Sequence, residues 1–262
     1  SPCVTFNNHE GSMKSYKYSR EHIEPVDIPD YVPFRQEITT EYEEGGGAFL
    51  EALKSGGFDT SYIRAHEITE RFPTTLEDLS SFDVVILSDI GSNSFLLCEE
   101  TFSRSEKSVN RLSLLSEFVM QGGGLMMVGG YMSFSGIDGR ARYQMSPLAT
   151  VLPVLMLNYD DRVEKPEGLE ANFLNPTHPA LGGTPAEWPI LLGYNKFKAK
   201  SDADVLVAHE EDPLLVVASV GKGRSVAFAS DVAPHWAPPE FLSWPHYNNL
   251  WTSIVEWVAN SS

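Results

Sequence analysis

The stretch Gly122-Gly-Gly-Leu-Met-Met-Val-Gly-Gly-Tyr-Met-Ser-Phe134 constrains the fold more than any other part of the chain. Three consecutive glycines supply the unhindered backbone that ends a helix. Leu125 to Val128 is then an unbroken apolar run, as expected of a parallel strand covered on both faces. In α/β proteins such a strand can lead into a sharp elbow that presents a nucleophile above the sheet. Here the elbow reads Gly129-Gly130-Tyr131-Met132-Ser133, so the residue on display is a phenol.

The surrounding pattern fits an α/β chain. Ala48, Phe49, Ala52 and Leu53 recur at helical spacing, after a stretch, Thr39 to Glu44, rich in cap residues and first-turn carboxylates. Gly56-Gly57 ends that helix, and Phe58 to Ile63 reads as a strand. Ser81 to Leu87 is a buried strand, and Val109 to Gln121 carries Leu112, Leu115, Phe118 and Val119 on one helical face. Strands alternating with helices at this spacing imply a right-handed, mostly parallel sheet. The second half differs. Residues 151–163, 168–174, 188–198, 205–208, 214–219 and 225–229 read as β segments without intervening helices. Gly221-Lys222-Gly223 is a hairpin turn, and an amphipathic helix over 247–259 closes the pattern. Cys3 to Phe6 reads as a first strand, followed by a polar excursion containing Pro25, Pro29 and Pro33.

Composition excludes several function classes. The 262 residues hold 19 Lys plus Arg against 36 Asp plus Glu, a net charge of −17. A surface that acidic repels nucleic-acid phosphate and anionic lipid, so neither nucleic acid nor membrane is an expected partner. No segment reaches the roughly 18 apolar residues of a membrane span. No secretory signal is visible, and two cysteines, Cys3 and Cys98, fit a reducing compartment, so the expected location is cytoplasmic.

A set of phrases in fixed order carries a family resemblance. They are Tyr42-Glu-Glu-Gly45, Leu87-Ser-Asp-Ile-Gly-Ser-Asn93, Gly122 to Tyr131, Phe134-Ser-Gly-Ile-Asp-Gly139, Asp160-Asp-Arg-Val-Glu164, Leu191-Leu-Gly-Tyr-Asn195 and Ser230-Asp-Val-Ala-Pro-His-Trp-Ala-Pro-Pro239. Over roughly residues 40–260 the chain resembles the glutamine amidotransferase-like proteins of bacteria, an uncharacterised branch of the class I amidotransferase-like fold. The resemblance implies a flavodoxin-like α/β three-layer sandwich with a mostly parallel sheet, as a single domain over 1–262 in which 1–40 diverge. The later β segments would extend the sheet or form an antiparallel edge. In the class I enzymes the elbow is Gly-x-Cys-x-Gly and its cysteine attacks glutamine. Tyr131 stands in that place. His235 falls roughly where the triad histidine would come, and its next carboxylate, Glu240, is not at the triad spacing. Glutaminase activity by the usual route is therefore not expected, because the triad acts as a unit.

The candidate site residues each carry two readings. Tyr131 is a general acid or base if a cation lowers its pKa, or it fills a lost active site. Ser133 is a second nucleophile candidate without an evident base, beside Gly130 of the elbow. Asp89, Ser92 and Asn93 lie beyond a strand's carboxyl end, where ligands bind in open α/β sheets, or they serve turn chemistry. Glu43 is a ligand contact or a helix-dipole partner. Asp231 and His235, four residues apart, act as acid and base, or belong to a loop whose exposed tryptophans, Trp236 and Trp244, wall a pocket or meet a second subunit. Ligand spacing for a metal is absent, and neither glycine cluster has phosphate-loop spacing, so no metal or cofactor is expected.

The leading expectation is a non-glutaminase protein that binds a small polar ligand at the strands' carboxyl ends. A hydrolase- or isomerase-type activity would be built from Tyr131, His235 and Asp89. Its rivals are a catalytically silent assembly domain forming a homo-oligomer, and a true amidotransferase in which Cys98 swings into the cleft.

Overall fold

Two apolar runs, Val84–Ser88 and Gly124–Val128, are buried at all five positions and lie side by side as parallel strands. Burial at every position, with no polar alternation, is what a strand with both faces covered requires. The computed structural model describes residues 2–7 and 45–259, which belong to one compact unit. The expectations placed on residues 8–44, Glu43 among them, lie outside the described residues.

Twelve strands are described. They are β1 (Pro2–Asn7), β2 (Asp59–Arg64), β3 (Val84–Ser88), β4 (Gly124–Val128), β5 (Val154–Met156) and β6 (Arg162–Leu169), then β7 (Asn172–Phe173), β8 (Leu191–Asn195), β9 (Phe197–Ala199), β10 (Asp204–His209), β11 (Asp212–Val220) and β12 (Gly223–Phe228). Eight of them form one mixed sheet in the order β2-β1-β3-β4-β12-β11-β10-β7. The first five run parallel. The hairpin at Gly221 (φ 61°) reverses the chain, and β11, β10 and β7 continue antiparallel. The eight late strands therefore divide, four joining the main sheet (β12, β11, β10 and β7) and four pairing apart from it, β5 with β9 and β6 with β8.

Among the described residues three helices exceed two turns: α1 (Gly47–Ser55), α2 (Arg111–Gln121) and α3 (Tyr247–Val258). On α2 the buried residues include Leu112, Leu115, Phe118 and Val119, the face expected from the spacing. Asn110 caps it by accepting the Ser113 N–H at 3.1 Å, and Gly122 ends it at φ 131°, a conformation that favours glycine. α1 packs on α3 through Phe49, whose ring meets Trp251 edge-on at 5.3 Å. Trp251 also meets Phe228 of β12 at 5.0 Å, tying the last helix to the sheet. Short helical turns such as Leu76–Leu79 and Asn93–Leu96 have no counterpart in the sequence pattern, because four residues are too few to show a period.

The elbow after β4 departs from expectation. Residues 129–136 run through turns and bends, and the next helical piece is a single 3-10 turn, Ile137–Gly139. The positive φ angles fall on Gly130 (142°), Phe134 (51°) and Gly136 (70°), not on Tyr131. Asp89, directly after β3, is the strand-end residue held left-handed, at φ 46°.

Trp251 is fully buried and bridges α1, α3 and the sheet. Trp251→Ala is expected to lower the unfolding free energy by about 3–5 kcal/mol through lost burial and an unfilled cavity. A urea titration followed by circular dichroism measures it.

Candidate functional site

Because β3, β4 and β12 are parallel neighbours, the segments leaving their carboxyl ends converge. Asp89 leaves β3, Gly129 to Met132 leave β4, and Ser230 to Trp236 leave β12. The left-handed turn at Asp89, which an aspartate tolerates better than most residues, lets its N–H donate to Ser133 Oγ at 3.0 Å. Its carboxylate accepts the Met132 N–H at 2.5 Å. A Cβ on Gly130 would stand 2.8 Å from Asp89 Oδ1, so glycine there is required by space as well as by φ.

A buried amide fixes this arrangement. Asn195, at the end of β8, accepts the Gly130 N–H at 2.9 Å and donates to the Gly130 carbonyl at 3.1 Å. The same Nδ2 donates to Asp161 at 2.8 Å, and Asp161 accepts the Ser135 and Gly136 N–H groups, each at 2.8 Å. The segment from 130 to 136 is thereby held along its length by side chains from the β6–β8 ribbon region.

Above this frame lies a second layer. The Tyr131 ring packs on His235 at 4.2 Å and near Trp236 at 5.8 Å, and His235 stacks on Trp236. Tyr131 donates its phenol proton to Glu164 Oε1 at 3.0 Å, and Trp236 Nε1 donates to Glu164 Oε2 at 2.9 Å. The Arg162 guanidinium lies over the Tyr131 ring at 4.4 Å and is gripped by Asp160 through two hydrogen bonds of 3.0 and 2.8 Å. Asp231 is fully buried. Its Oδ1 accepts the Val232 and Ala233 N–H groups. Its Oδ2 lies 3.7 Å from His235 Nδ1, an ion-pair contact too long for a hydrogen bond, and has no hydrogen-bond partner.

The charges respond to this crowding. Burial pushes the Asp89 carboxyl up to about 7, with the neighbouring Asp231 adding to the shift against the Met132 N–H and His235. Burial also raises Asp161, to about 6, against its three hydrogen-bond donors. For His235 burial acts downward, but Asp231, then Asp89 and Glu164, outweigh it and raise the imidazole above its ordinary value. Arg162 holds Asp160 at about 2. Burial and the Glu164 carboxylate raise the Tyr131 phenol despite the guanidinium on its face. The cation expected to lower the phenol is present and is outweighed by burial and Glu164, so Tyr131 stays protonated near neutrality.

The structure brings Tyr131, His235, Asp89, Asp231, Gly130 and Ser133 together. Ser133 is buried with its oxygen engaged by the Asp89 N–H, which gives it a positioning part. Ser92 is buried and its N–H donates to the Ala141 carbonyl; Asn93 is exposed at the start of a short helix. Neither hydrogen-bonds to Tyr131 or His235. Trp236 is 1% exposed, which corrects the expectation of an exposed tryptophan at that position. Its indole N–H finds Glu164, and the ring packs over Gly193, where a Cβ would come within 2.3 Å. Cys98 is bonded to Ser108 and Thr101, outside this cluster. A cavity of about 390 Å³, lined by Leu157, Lys196, Phe197 and Asp212 among others, contains none of the expected site residues. Asn195, Asp161, Arg162 and Glu164 had no role assigned from the sequence. Among the described residues no group of three or more potential metal ligands comes together.

A family model described as "Putative glutamine amidotransferase" matches residues 26–260. The chain belongs to this GATase1-like family. The match starts 14 residues before the resemblance read from the phrases. A cytoplasmic protein from Salmonella typhimurium is 40% identical, with a TM-score of 0.86 over 97% of this chain and 98% of that one. A second cytoplasmic protein, from Salmonella typhimurium LT2, is 39% identical, with a TM-score of 0.86 over 98% and 99%. A "putative thua-like protein" from Bacteroides uniformis shares the fold at 12% identity, with a TM-score of 0.55 over 98% and 90%. No curated protein matches. Among the described residues no helix is long and apolar enough to cross a membrane.

Two outcomes are expected of this GATase1-like site. Asn195→Ala leaves the Gly130 and Asp161 partners buried and unmet, and should cost about 2–4 kcal/mol in urea unfolding. Asp89 sits at about 7 in the folded chain and near 4 when unfolded. The folded protein therefore retains a proton that the unfolded chain releases in that window, and stability falls as pH rises through it. Asp89→Asn removes this contribution, so the stability difference should move in the variant's favour between about pH 4 and pH 7. Parallel curves would contradict the raised carboxyl.

Proposed function

We propose that this GATase1-like protein has no glutaminase activity and binds a small polar ligand at the carboxyl ends of β3, β4 and β12. His235 and Asp89 are the proton-exchanging pair of a hydrolase- or isomerase-type reaction, and Tyr131 is a ligand-binding phenol. The observation that carries this reading is the Asp231 carboxylate. Fully buried and fixed by the Val232 and Ala233 N–H groups, it stands 3.7 Å from His235 Nδ1 and so pairs with an imidazole that is packed on Tyr131. Asp89 near 7 is a group that gains and loses a proton close to neutrality, and the carboxylates around His235 hold its imidazole above its ordinary value. The exposed Glu164 carboxylate offers an acceptor beside the Tyr131 phenol, which suits a ligand rich in hydroxyl or amide donors. The fold that accompanies this reading is the flavodoxin-like three-layer sandwich. It is supported by the parallel order β2-β1-β3-β4-β12 and by α2 and α3 both packing on β4 and β12. A cytoplasmic location accords with the description of the two Salmonella proteins.

The test has two arms. Ammonia release from glutamine should stay at the blank level; release that Cys98→Ser abolishes would restore the amidotransferase reading. In a thermal-shift panel of sugars, polyols, amides and amino acids, a stabilising compound should lose most of its effect in Tyr131→Phe and in His235→Gln. Both variants should keep the wild-type circular dichroism spectrum. A stabilisation unchanged in both would remove these residues from the site.

A further inference from the structure

Within the strand-end cluster, the two ring nitrogens of His235 face different surroundings. Asp231 and His235 belong to one loop, where the Ala237 N–H donates to the Ala233 carbonyl at 3.2 Å. The Asp231 side chain folds back on that loop, its Oδ1 accepting the Val232 N–H at 2.7 Å and the Ala233 N–H at 3.1 Å. Its Oδ2, buried and accepting no hydrogen bond, is left facing His235 Nδ1 at 3.7 Å. The imidazole is held in this orientation by Tyr131, packed on it at 4.2 Å, and by Trp236, stacked at 5.6 Å and 26°. Trp236 is itself fixed by its bond to Glu164 at 2.9 Å. Nε2 differs from Nδ1: it hydrogen-bonds to no described residue and is not a buried atom, and the side chain is 23% exposed.

An imidazole carries its proton on Nδ1, on Nε2 or on both, and the group facing one nitrogen decides between them. A bare Nδ1 would set its lone pair against a carboxylate oxygen in surroundings of low dielectric. A proton on Nδ1 turns that repulsion into attraction. We infer that Asp231 is a positioning residue that keeps Nδ1 of His235 protonated in both charge states of the ring, so that Nε2 is the atom that takes and returns protons. Asp231 and His235 are thus not an acid and a base acting in turn on a ligand, since one sets the proton of the other. The ligand atom at Nε2 belongs to a proton donor, a hydroxyl or a water. It gives its proton to Nε2, its oxygen keeps the electron pair, and the imidazolium that forms stands against the Asp231 carboxylate. The identity of that group rests on the proposed ligand site, whereas the place of the ring proton does not.

The experiment uses the full chain, isotope-labelled on its histidine nitrogens and free of ligand. Long-range proton–nitrogen correlation spectra tell the two nitrogens apart, because Nε2 couples strongly to both carbon-bound ring protons and Nδ1 to one. Comparison with His235→Gln picks out the His235 signals from those of the seven histidines. The pH is raised until the shifts stop moving, which gives the neutral ring. There Nδ1 should resonate as a protonated nitrogen and Nε2 as a bare one. In Asp231→Asn, whose amide can donate to Nδ1, the two positions should exchange while the circular dichroism spectrum stays unchanged. A protonated Nε2 in the neutral wild-type ring overturns the inference, and so does an assignment unchanged in Asp231→Asn. If that variant does not fold, the wild-type spectrum decides, because Asp231 is the carboxylate paired with Nδ1. A ligand panel in which nothing stabilises the protein leaves the ring assignment standing. A protonated Nε2 leaves ligand binding standing, so the two failures are told apart.

Discussion

The amide side chain of Asn195 is the interaction on which the strand-end architecture depends. The segment after β4 has no helix to order it, so its shape must come from groups outside itself. Asn195 meets both backbone groups of Gly130 and, through Nδ2, also reaches Asp161, which in turn holds Ser135 and Gly136. An amide suits this position because it donates and accepts from one planar group. A carboxylate could not donate to the Gly130 carbonyl, and a lysine could not accept its N–H. The segment is thus a loop held by its neighbours, not a strand-to-helix turn held by its own backbone.

That exchange explains the electrostatics. Asp161 is buried because its job is to receive backbone N–H groups, and Asp89 is buried because Gly130 packs against its carboxyl group. With Asp231 behind them, three acids sit in or under one cluster, and a single imidazole shares the field of Asp231, Asp89 and Glu164. Crowded acids resist simultaneous ionisation. Proton affinity near neutrality is therefore a by-product of how the loop is held, available to whatever the site binds.

Much of the fold was legible in the sequence, and much of the site was not. The apolar runs of β3 and β4 and the stripe Leu112, Leu115, Phe118, Val119 appear where periodicity placed them, because burial on two faces or one leaves a direct mark on residue type. Tyr131, His235, Asp89 and Asp231 were found from their positions after strands. Arg162, Glu164 and Asn195 lie on strands of a separate small ribbon, and no periodicity states where such a ribbon docks. The phrases Asp160-Asp-Arg-Val-Glu164 and Leu191 to Asn195 did mark those segments, since a cluster of charges in a strand has little reason to exist without partners. Trp236 was misread as exposed because a proline-flanked tryptophan in a loop looks like a surface feature, while the missing side chain of Gly193, 43 positions away in the sequence, makes the room that buries it.

The antiparallel end of the main sheet finishes on β7, which spans only Asn172 and Phe173. A row of unpaired backbone groups along a long outer strand would be a template for another chain. With two residues there is almost no row to copy, so β7 is itself a poor template for pairing with another chain.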